Sequence, residues 1–343
     1  MPNKPLRIAM WCNSSAAAYW RLADPAKYLR KMGIDARVME EGVTREACEW
    51  ADIIVTQMCV DKDMIALIRE YQVLHGKKYV VEQDDLPDID PSNPHRVEHE
   101  ISDAPEVIKI SMGIADMVTT TTPYLANKLS EYSKNVWVLP NAMDLERWDL
   151  PKLHNTSKTI RIGWLGSITH LKDLELVVNP LRRICAEYPN VQIVAVGDMR
   201  VRELLKGLPA EVMLGVPFEA YPARLNGLRL DIGLAPLQPT EFNKCKSNIK
   251  WMEYAIADVP GVYSPTVYNH ESFEPNLGLV ANNEEQWYRC IKNLITVPDL
   301  GKGIVDSAHR LVQRKYDLSR EVQKWAKAYQ SLTQDPKHSM QSV

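Results

Sequence analysis

The chain has few cysteines, and those it has are scattered. Its 343 residues include six cysteines and no C-x-x-C pair, so neither a disulfide framework nor a cysteine-based zinc site is indicated. No apolar run reaches the ~18 residues that a membrane span needs. No repeat of 20–50 residues is visible either. We therefore expect reduced thiols and a cytoplasmic protein without a transmembrane segment.

The chain also lacks a large net charge of either sign. The formal charge is −3, which gives no general reason to expect nucleic acid or an anionic membrane as a partner. The charges are unevenly distributed: residues 1–150 hold 17 basic and 24 acidic side chains, and residues 151–343 hold 24 and 20. The first part therefore carries −7 and the second +4, which suits a second half that binds an anionic ligand. The length fits two domains.

A dinucleotide fingerprint is absent from the first strand-to-helix turn. The apolar segment Leu6–Trp11 predicts a buried strand, but the small residues after it do not form G-x-G-x-x-G. Small residues allow another group to approach closely, and they equally suit a tight turn. Ser15 in this loop and Arg21, the one cation near it, are candidate contacts for a ligand.

Strand-like and helix-like segments alternate through the first half, which predicts a parallel sheet with helices on both faces. Ligands bind such sheets at the carboxyl ends of the strands, where Glu82, Asp84 and Asp85 would lie. Adjacent carboxylates bind Mg²⁺, orient hydroxyl groups or simply face solvent. A proline-rich loop follows and contains His95, which is either a surface residue or a substrate contact.

A new strand begins near Thr159, after a polar stretch that we interpret as a linker. It ends in Gly166 and Ser167, and an amphipathic helix follows them. Gly166 permits close backbone approach, and the helix N-terminus offers N–H groups, to which Lys172 or His170 would add a polar contact. This arrangement predicts a phosphate-binding turn.

The segment Phe242–Tyr254 predicts a second anion site. It follows an apolar run and contains Lys246 and Lys250, and Ser247 is a plausible N-cap for the helix behind it. Glu253, about one and a half turns further, would accept hydrogen bonds from sugar hydroxyls. A solvated basic loop is the alternative interpretation.

Four motifs in order resemble those of the retaining, family-4-like group of GT-B glycosyltransferases. They are the hinge Val138–Asp144, the strand and glycine turn Ile162–Ser167, the strand Asp231–Leu237, and the donor-site segment from Lys246-Ser247 to Glu253-Tyr254-Ala255. The similarity spans the chain and is strongest from Val138 to Ser264.

The resemblance implies roles for individual residues. Glu253 matches the Glu that binds the nucleotide ribose, whereas Cys245 stands where an earlier Glu contacts the transferred sugar. The Arg and Lys that clasp the diphosphate correspond to Ser167 and Lys172, so the Arg is missing and Lys246 with Lys250 would supply its charge.

The fold implied is two Rossmann-like domains, each a parallel sheet flanked by helices. Residues 1–145 would bind the acceptor and 146–316 the nucleotide sugar; 317–332 would form a helix that crosses back to the first domain, and 333–343 a flexible tail. Lysines and a helix N-terminus would stabilise the leaving diphosphate without a metal. We expect no cofactor beyond the nucleotide-diphosphate sugar itself, and we select Lys246, Asp85 and His95 as catalytic candidates.

The implied activity is transfer of a sugar from a nucleotide-diphosphate sugar to an acceptor hydroxyl with retention. A sugar-nucleotide epimerase of the same fold is an alternative, with Asp84, Asp85 and His95 as acid and base groups. A non-catalytic sugar-nucleotide-binding protein is another. The acceptor remains open among a glycan, a lipid-linked sugar, a protein, a small metabolite and modified bases of DNA.

Overall fold

The computed structural model describes residues 4–12, 18–88, 103–268, 273–274 and 276–333. Within them the chain divides into two compact units. The first unit comprises residues 4–88, 103–144 and 317–333, and the second comprises residues 145–316. The boundaries expected from the sequence were 145/146 and 316/317. Of the predicted flexible tail, 334–343 lies outside the described residues.

The first unit is built on a parallel sheet. In the described part of the chain its strands are ordered β2-β1-β3-β4-β5-β6, and every neighbouring pair runs parallel. Strand β3 is buried along its whole length, as its apolar sequence requires when helices cover both faces. The strands are β1 Arg7–Cys12, β2 Asp35–Val38, β3 Ile53–Gln57, β4 Lys78–Glu82, β5 Met117–Thr120 and β6 Val136–Val138.

Capping residues stand at the ends of several helices in the first unit. The helix Lys62–His75 is capped by Asp61, whose carboxylate accepts from two backbone N–H groups, and it ends at Gly76 in the left-handed region. Thr122 caps the helix Pro123–Leu129, with Pro123 in the first turn. The helices are α1 Asp24–Lys31, α2 Arg45–Trp50, α3 Lys62–His75, α4 Ala104–Ile114 and α5 Pro123–Leu129.

The last helix of the described chain belongs to the core of the first unit. It runs over Leu318–Ser331, and its buried face includes Leu318, Val322 and Trp325, packed in one cluster with Ile8 and Leu29. The backbone N–H of Leu318 also donates to Met143. The C-terminal segment therefore completes the core that the first 144 residues begin.

The second unit carries another parallel sheet, ordered β12-β11-β10-β7-β8-β9 among the described residues. This is the strand order of a doubly wound dinucleotide-binding domain, in which the first and fourth strands lie side by side. Here those two strands are β7 and β10. The strands are β7 Ile160–Gly166, β8 Val191–Gly197, β9 Ala210–Leu214, β10 Ile232–Ala235, β11 Gly261–Tyr263 and β12 Leu279–Val280.

Amphipathic helices cover the second sheet. Leu174, Val177, Leu181 and Ile184 recur on one face of the longest helix before β8 and pack into the core. The helices are α6 Leu145–Trp148, α7 Leu171–Glu187, α8 Val201–Leu204, α9 Tyr221–Gly227, α10 Glu241–Lys244, α11 Ile249–Ile256, α12 Glu284–Thr296 and α13 Pro298–Lys315, and the C-terminal helix Leu318–Ser331 is α14. None of the helices in the described ranges combines the length and apolarity that membrane crossing requires.

Candidate functional site

The second sheet has a switch point between β7 and β10. The chain leaves β7 for β8 on one side, whereas β10 lies on the other, with Ile232 beside Ile162. Loops that diverge from such a point leave a crevice at the carboxyl ends of the strands. The loop after Gly166 and the loop after Ala235 therefore flank one crevice, and both predicted anion segments begin there.

The backbone of Gly197 lies very close to the backbone of Gly166 at this edge of the sheet. Gly197, at the end of β8, has a φ of 152°, and a Cβ placed on it would lie 1.8 Å from the carbonyl oxygen of Gly166. Backbone atoms cannot move aside as a side chain can. The turn at Gly166–Ser167 therefore depends on the lack of a side chain at Gly197.

Replacing Gly197 by alanine is expected to lower the free energy of unfolding of the second unit by about 2 kcal/mol, because the new methyl group meets backbone. Urea denaturation followed by circular dichroism measures the change. Gly215→Ala is the matched control, since a Cβ there meets nothing within 4 Å. Equal stability of the two variants would contradict the role given to Gly197.

Asp173 joins the two loops that flank the crevice. One carboxylate oxygen accepts from the backbone N–H of Gln238 at 2.7 Å and from the side-chain amide of Asn243 at 2.9 Å. Its other oxygen lies 2.7 Å from Nδ1 of His170. Asp173 is buried, so these bonds fix the start of α7 against the segment before α10.

His170 lies near both lysines of the donor-site segment. Burial lowers the pKa of its imidazole, the hydrogen bond with Asp173 opposes that effect, and the charges of Lys246 and Lys250 lower it further. The side-chain amide of Asn243, within the segment Phe242–Tyr254, donates to Asp173 at the start of α7, so the glycine-turn loop and this segment meet. The structure thus brings together the two anion segments that the sequence predicts separately.

Glu253 is held by two partners on its own side of the cluster. Its Oε2 accepts from Nζ of Lys250 at 2.6 Å and from the hydroxyl of Tyr221 at 2.8 Å. The Glu253 side chain is 5% exposed. Burial alone would lower the pKa of Lys250, but the charge of Glu253 outweighs it and the pKa is raised. These two bonds hold the Glu253 carboxylate in a fixed orientation.

The start of α11 differs from the sequence prediction. Ser247 does not cap the helix: Asn248 occupies the N-cap position, with no hydrogen bond from its side chain to the first turn. The residues before it form the short helix α10, which Thr240 caps. The ammonium of Lys246 lies 4.7 Å from the centre of the Phe242 ring.

The carboxyl edge of the first sheet carries a chain of polar side chains. Cys12 donates to Gln57 across neighbouring strands, and the amide of Gln57 donates to Asp84 at 2.8 Å. This edge also has a switch point, because β1 lies between β2 and β3. Asp85 follows, half-buried, and its backbone carbonyl accepts from the side chain of Gln83 at 2.6 Å.

A cavity of about 780 Å³ opens at the opposite edge of the second sheet, near the amino ends of β7, β10 and β11. One face of α13 forms its wall, and the paired Asp258 and His309 line it. The cavity is separate from the switch-point crevice, because none of its lining residues belongs to the loops after β7 or β10.

Solved structures resemble the whole chain. A glycosyltransferase from Rickettsia africae superimposes with a TM-score of 0.70 at 14% identity, covering 97% of this chain and 100% of that one. HepE from Anabaena, solved in complex with UDP-glucose, superimposes with a TM-score of 0.69 at 12% identity, covering 95% of this chain and 100% of that one. Sucrose-phosphate synthase from Thermosynechococcus elongatus superimposes with a TM-score of 0.66 at 12% identity, covering 96% of this chain and 99% of that one.

The chain adopts the GT-B fold. The predicted architecture of two parallel sheets flanked by helices is therefore confirmed. No protein-family model matches the chain, and no curated protein matches it. At 12–14% identity the structural likeness establishes the fold, and the activity is inferred from the site.

One predicted ligand contact of the GT-B chain is wrong. Arg21 is completely buried, and its guanidinium bonds Glu82, the carbonyl of Leu139 and the side chain of Asn141. The guanidinium also lies 5.2 Å from the ring centre of Trp325. Arg21 therefore stabilises the core of the first unit and does not reach a ligand.

The remaining predicted residues fall into three groups. Gly166, Ser167, Lys246, Lys250 and Glu253 lie at the switch-point edge, as described above. The side chain of Lys172 is 57% exposed, and its ammonium pairs with Glu175 on the same helix. Ser15 and His95 lie outside the described residues.

Tyr221 and Asp173 were not predicted as site residues. Tyr221 is 32 positions from Glu253, and Asp173 is 70 positions from Asn243, so no local spacing connects them. Cys245, where the resemblance expects a sugar-contacting Glu, is fully buried. Its thiol therefore does not replace that contact.

Proposed function

We propose that the protein is a glycosyltransferase that moves a sugar from a nucleotide-diphosphate sugar to an acceptor hydroxyl, with retention and without a metal. The observation that carries the proposal is the meeting of two anion segments at the β7/β10 switch point of a GT-B donor unit. HepE, which has the same fold, is solved with UDP-glucose. A cytoplasmic location accompanies the proposal, since none of the six cysteines forms a disulfide.

The donor would be held by charge and by backbone. Lys246 and Lys250 offer two ammonium groups to the diphosphate, and the turn at Gly166–Ser167 lets its backbone approach closely. As the sugar leaves, negative charge builds up on the diphosphate, and fixed cations stabilise that charge more than the ground state. In this proposal the lysines provide the leaving-group stabilisation, so no metal is required.

Glu253 would orient the nucleotide through its ribose. Tyr221 and Lys250 hold Oε2, so Oε1 is the atom available to accept from the ribose hydroxyls. Asp85 at the carboxyl edge of the first sheet is our candidate for an acceptor contact. For the acceptor itself, the −7 charge of the first 150 residues favours a neutral glycan or lipid-linked sugar over duplex DNA.

Three nucleotide sugars, UDP-glucose, ADP-glucose and GDP-glucose, distinguish the candidate activities. A bound nucleotide sugar raises the midpoint temperature of unfolding by mass action, so the largest shift identifies the preferred nucleotide base. Release of nucleoside diphosphate with an acceptor indicates transfer, and the anomeric configuration of the product reports retention. A changed sugar without an acceptor would instead indicate epimerisation, and binding without turnover would indicate a non-catalytic protein.

Replacing Glu253 by glutamine is expected to lower turnover about 5- to 10-fold, because a charge-assisted hydrogen bond to the ribose becomes a neutral one. The change is isosteric and keeps an acceptor for Tyr221, so the thermal midpoint should fall by only a few degrees. Initial rates with the selected nucleotide sugar measure the effect. Full activity in the variant would remove Glu253 from the donor site.

A further inference from the structure

We propose that His170, held by Asp173, binds the donor diphosphate as an imidazolium and takes up a proton when it does so. The inference rests on the proposed function and adds a proton-linked contact to the donor site. The ammonium of Lys172, which the sequence analysis favoured at this turn, pairs with Glu175 on the exposed face of α7. His170 lies at the same turn, and the charges of Lys246 and Lys250 both lower its pKa.

The hydrogen bonds of Asp173 determine which nitrogen of His170 is available. The amide nitrogen of Asn243 faces two acceptors, Asp173 Oδ1 and the carbonyl of Gln238, so its orientation is fixed. Oδ1 therefore receives two N–H donors, and Oδ2 is the oxygen that accepts from the ring of His170. Nδ1 of His170 must then carry the proton of the 2.7 Å bond to Oδ2.

Nε2 is consequently the ring atom that can meet a ligand. No hydrogen bond to it is formed by any protein group in the described residues, and the side chain of His170 is 27% exposed. Asp173 thus orients the ring from behind, in the way that a carboxylate orients the imidazole of a metal site or catalytic pair.

Three charged groups from the elements packed around His170 act on it. Asp173 lies in the first turn of α7, which His170 precedes, Lys246 lies on the segment between α10 and α11, and Lys250 lies on α11. Without ligand, burial and the two lysines lower the pKa of His170, so the ring is neutral at pH 7. A bound diphosphate brings two negative charges that offset both lysines. The pKa of His170 then rises, and the ring gains a proton from solvent.

The sign of the pH dependence follows from linkage. Because the pKa of His170 is higher in the complex than in the free protein, affinity increases as the pH falls through the bound-state pKa. The affinity becomes constant at pH values below the pKa of His170 in the free protein. Each unit by which binding raises the pKa corresponds to about a tenfold gain in affinity. A nucleotide sugar is the right probe, because its phosphates are diesters that do not titrate near neutral pH.

Isothermal titration calorimetry with UDP-glucose, ADP-glucose and GDP-glucose tests the inference in two buffers of different ionisation enthalpy. At pH 7 the wild type should take up a measurable fraction of a proton with the nucleotide sugar that binds. His170→Gln keeps a donor near the Nε2 position but cannot titrate. It should take up none, and it should bind about tenfold more weakly at pH 6. His170→Lys, with a permanent charge, should bind tightly at pH 6 and at pH 8.

Three outcomes would overturn the inference. Binding of a nucleotide sugar with equal enthalpy in both buffers would refute proton uptake and leave the proposed function intact. Proton uptake by His170→Gln equal to that of the wild type would assign the proton to another group. If the wild type bound none of the three nucleotide sugars, the proposed function would fail together with the inference.

Discussion

Replacing Arg21 by methionine is expected to lower the free energy of unfolding of the first unit by about 3–5 kcal/mol. Arg21 and Glu82 are both completely buried and are joined by two hydrogen bonds, of 2.8 and 3.1 Å. Burial raises the pKa of Glu82, whereas Arg21 and a hydrogen bond from Thr119 lower it. Removing the guanidinium leaves an unpaired carboxylate in the core, together with the orphaned acceptors of Leu139 and Asn141.

Urea denaturation followed by near-ultraviolet circular dichroism measures this loss. Arg45→Met is the control, because Arg45 pairs with Glu70 at the surface, where both side chains are at least 40% exposed. Such surface pairs contribute at most about 1 kcal/mol. Adding Glu82→Gln to the Arg21 variant should restore part of the stability, since no buried charge remains. A loss no larger than that of the Arg45 variant would refute the structural role of Arg21.

Lys246→Ala is expected to weaken nucleotide-sugar binding at least tenfold, or about 1.4 kcal/mol, because a charge-assisted contact to the diphosphate is lost. The loss of affinity should also be larger than the loss of affinity in Glu253→Gln, which keeps a neutral hydrogen bond to the ribose. Isothermal titration calorimetry measures it directly. Lowering the salt concentration should strengthen binding to the wild type more than to the variant.

Lys244→Ala is the matched control for this measurement. Lys244 lies two positions away, but its ammonium pairs with Glu241 on the exposed side of α10. Its removal should change the affinity by less than about twofold, since exposed pairs contribute little. Unchanged affinity in Lys246→Ala, or an equal loss in both variants, would remove Lys246 from the donor site.

Much of the fold could be predicted because its strands are continuous apolar runs. Segments such as Ile53–Gln57 and Val191–Gly197 are buried on both faces of a parallel sheet, so they stand out from the amphipathic helices between them. Local capping signals were equally informative at Thr122–Pro123. The helix Ala104–Ile114 was not predicted. Strand β12 was not predicted either, because two residues are too short to give a recognisable pattern.

The candidate site could be predicted only where its chemistry is local. Gly166, Lys246 and Glu253 stand in short motifs, and they lie at the edge where parallel sheets bind ligands. Arg21 was misjudged because its partner Glu82 is 61 positions away, and a cation near a loop says nothing of its own burial. Tyr221 and Asp173 act through equally distant partners, which only the folded sheet brings into contact.

Ser247 shows a further limit. Serine is favoured at an N-cap, but the helix begins one residue later than that assignment requires, behind the additional short helix α10. Helix boundaries are set by tertiary contacts as well as by capping preference. Here the bonds of Asn243 to Asp173 and Gln238 anchor the segment and fix where α11 can start.

Hydrogen–deuterium exchange with a bound nucleotide sugar tests most directly that the donor binds at the β7/β10 switch point. UDP-glucose, ADP-glucose or GDP-glucose, whichever raises the thermal midpoint most, is added at saturation. We predict slower exchange in peptides covering residues 166–170 and 246–253. Protection confined to α13 and the cavity at the opposite edge of the sheet would contradict the proposed donor site.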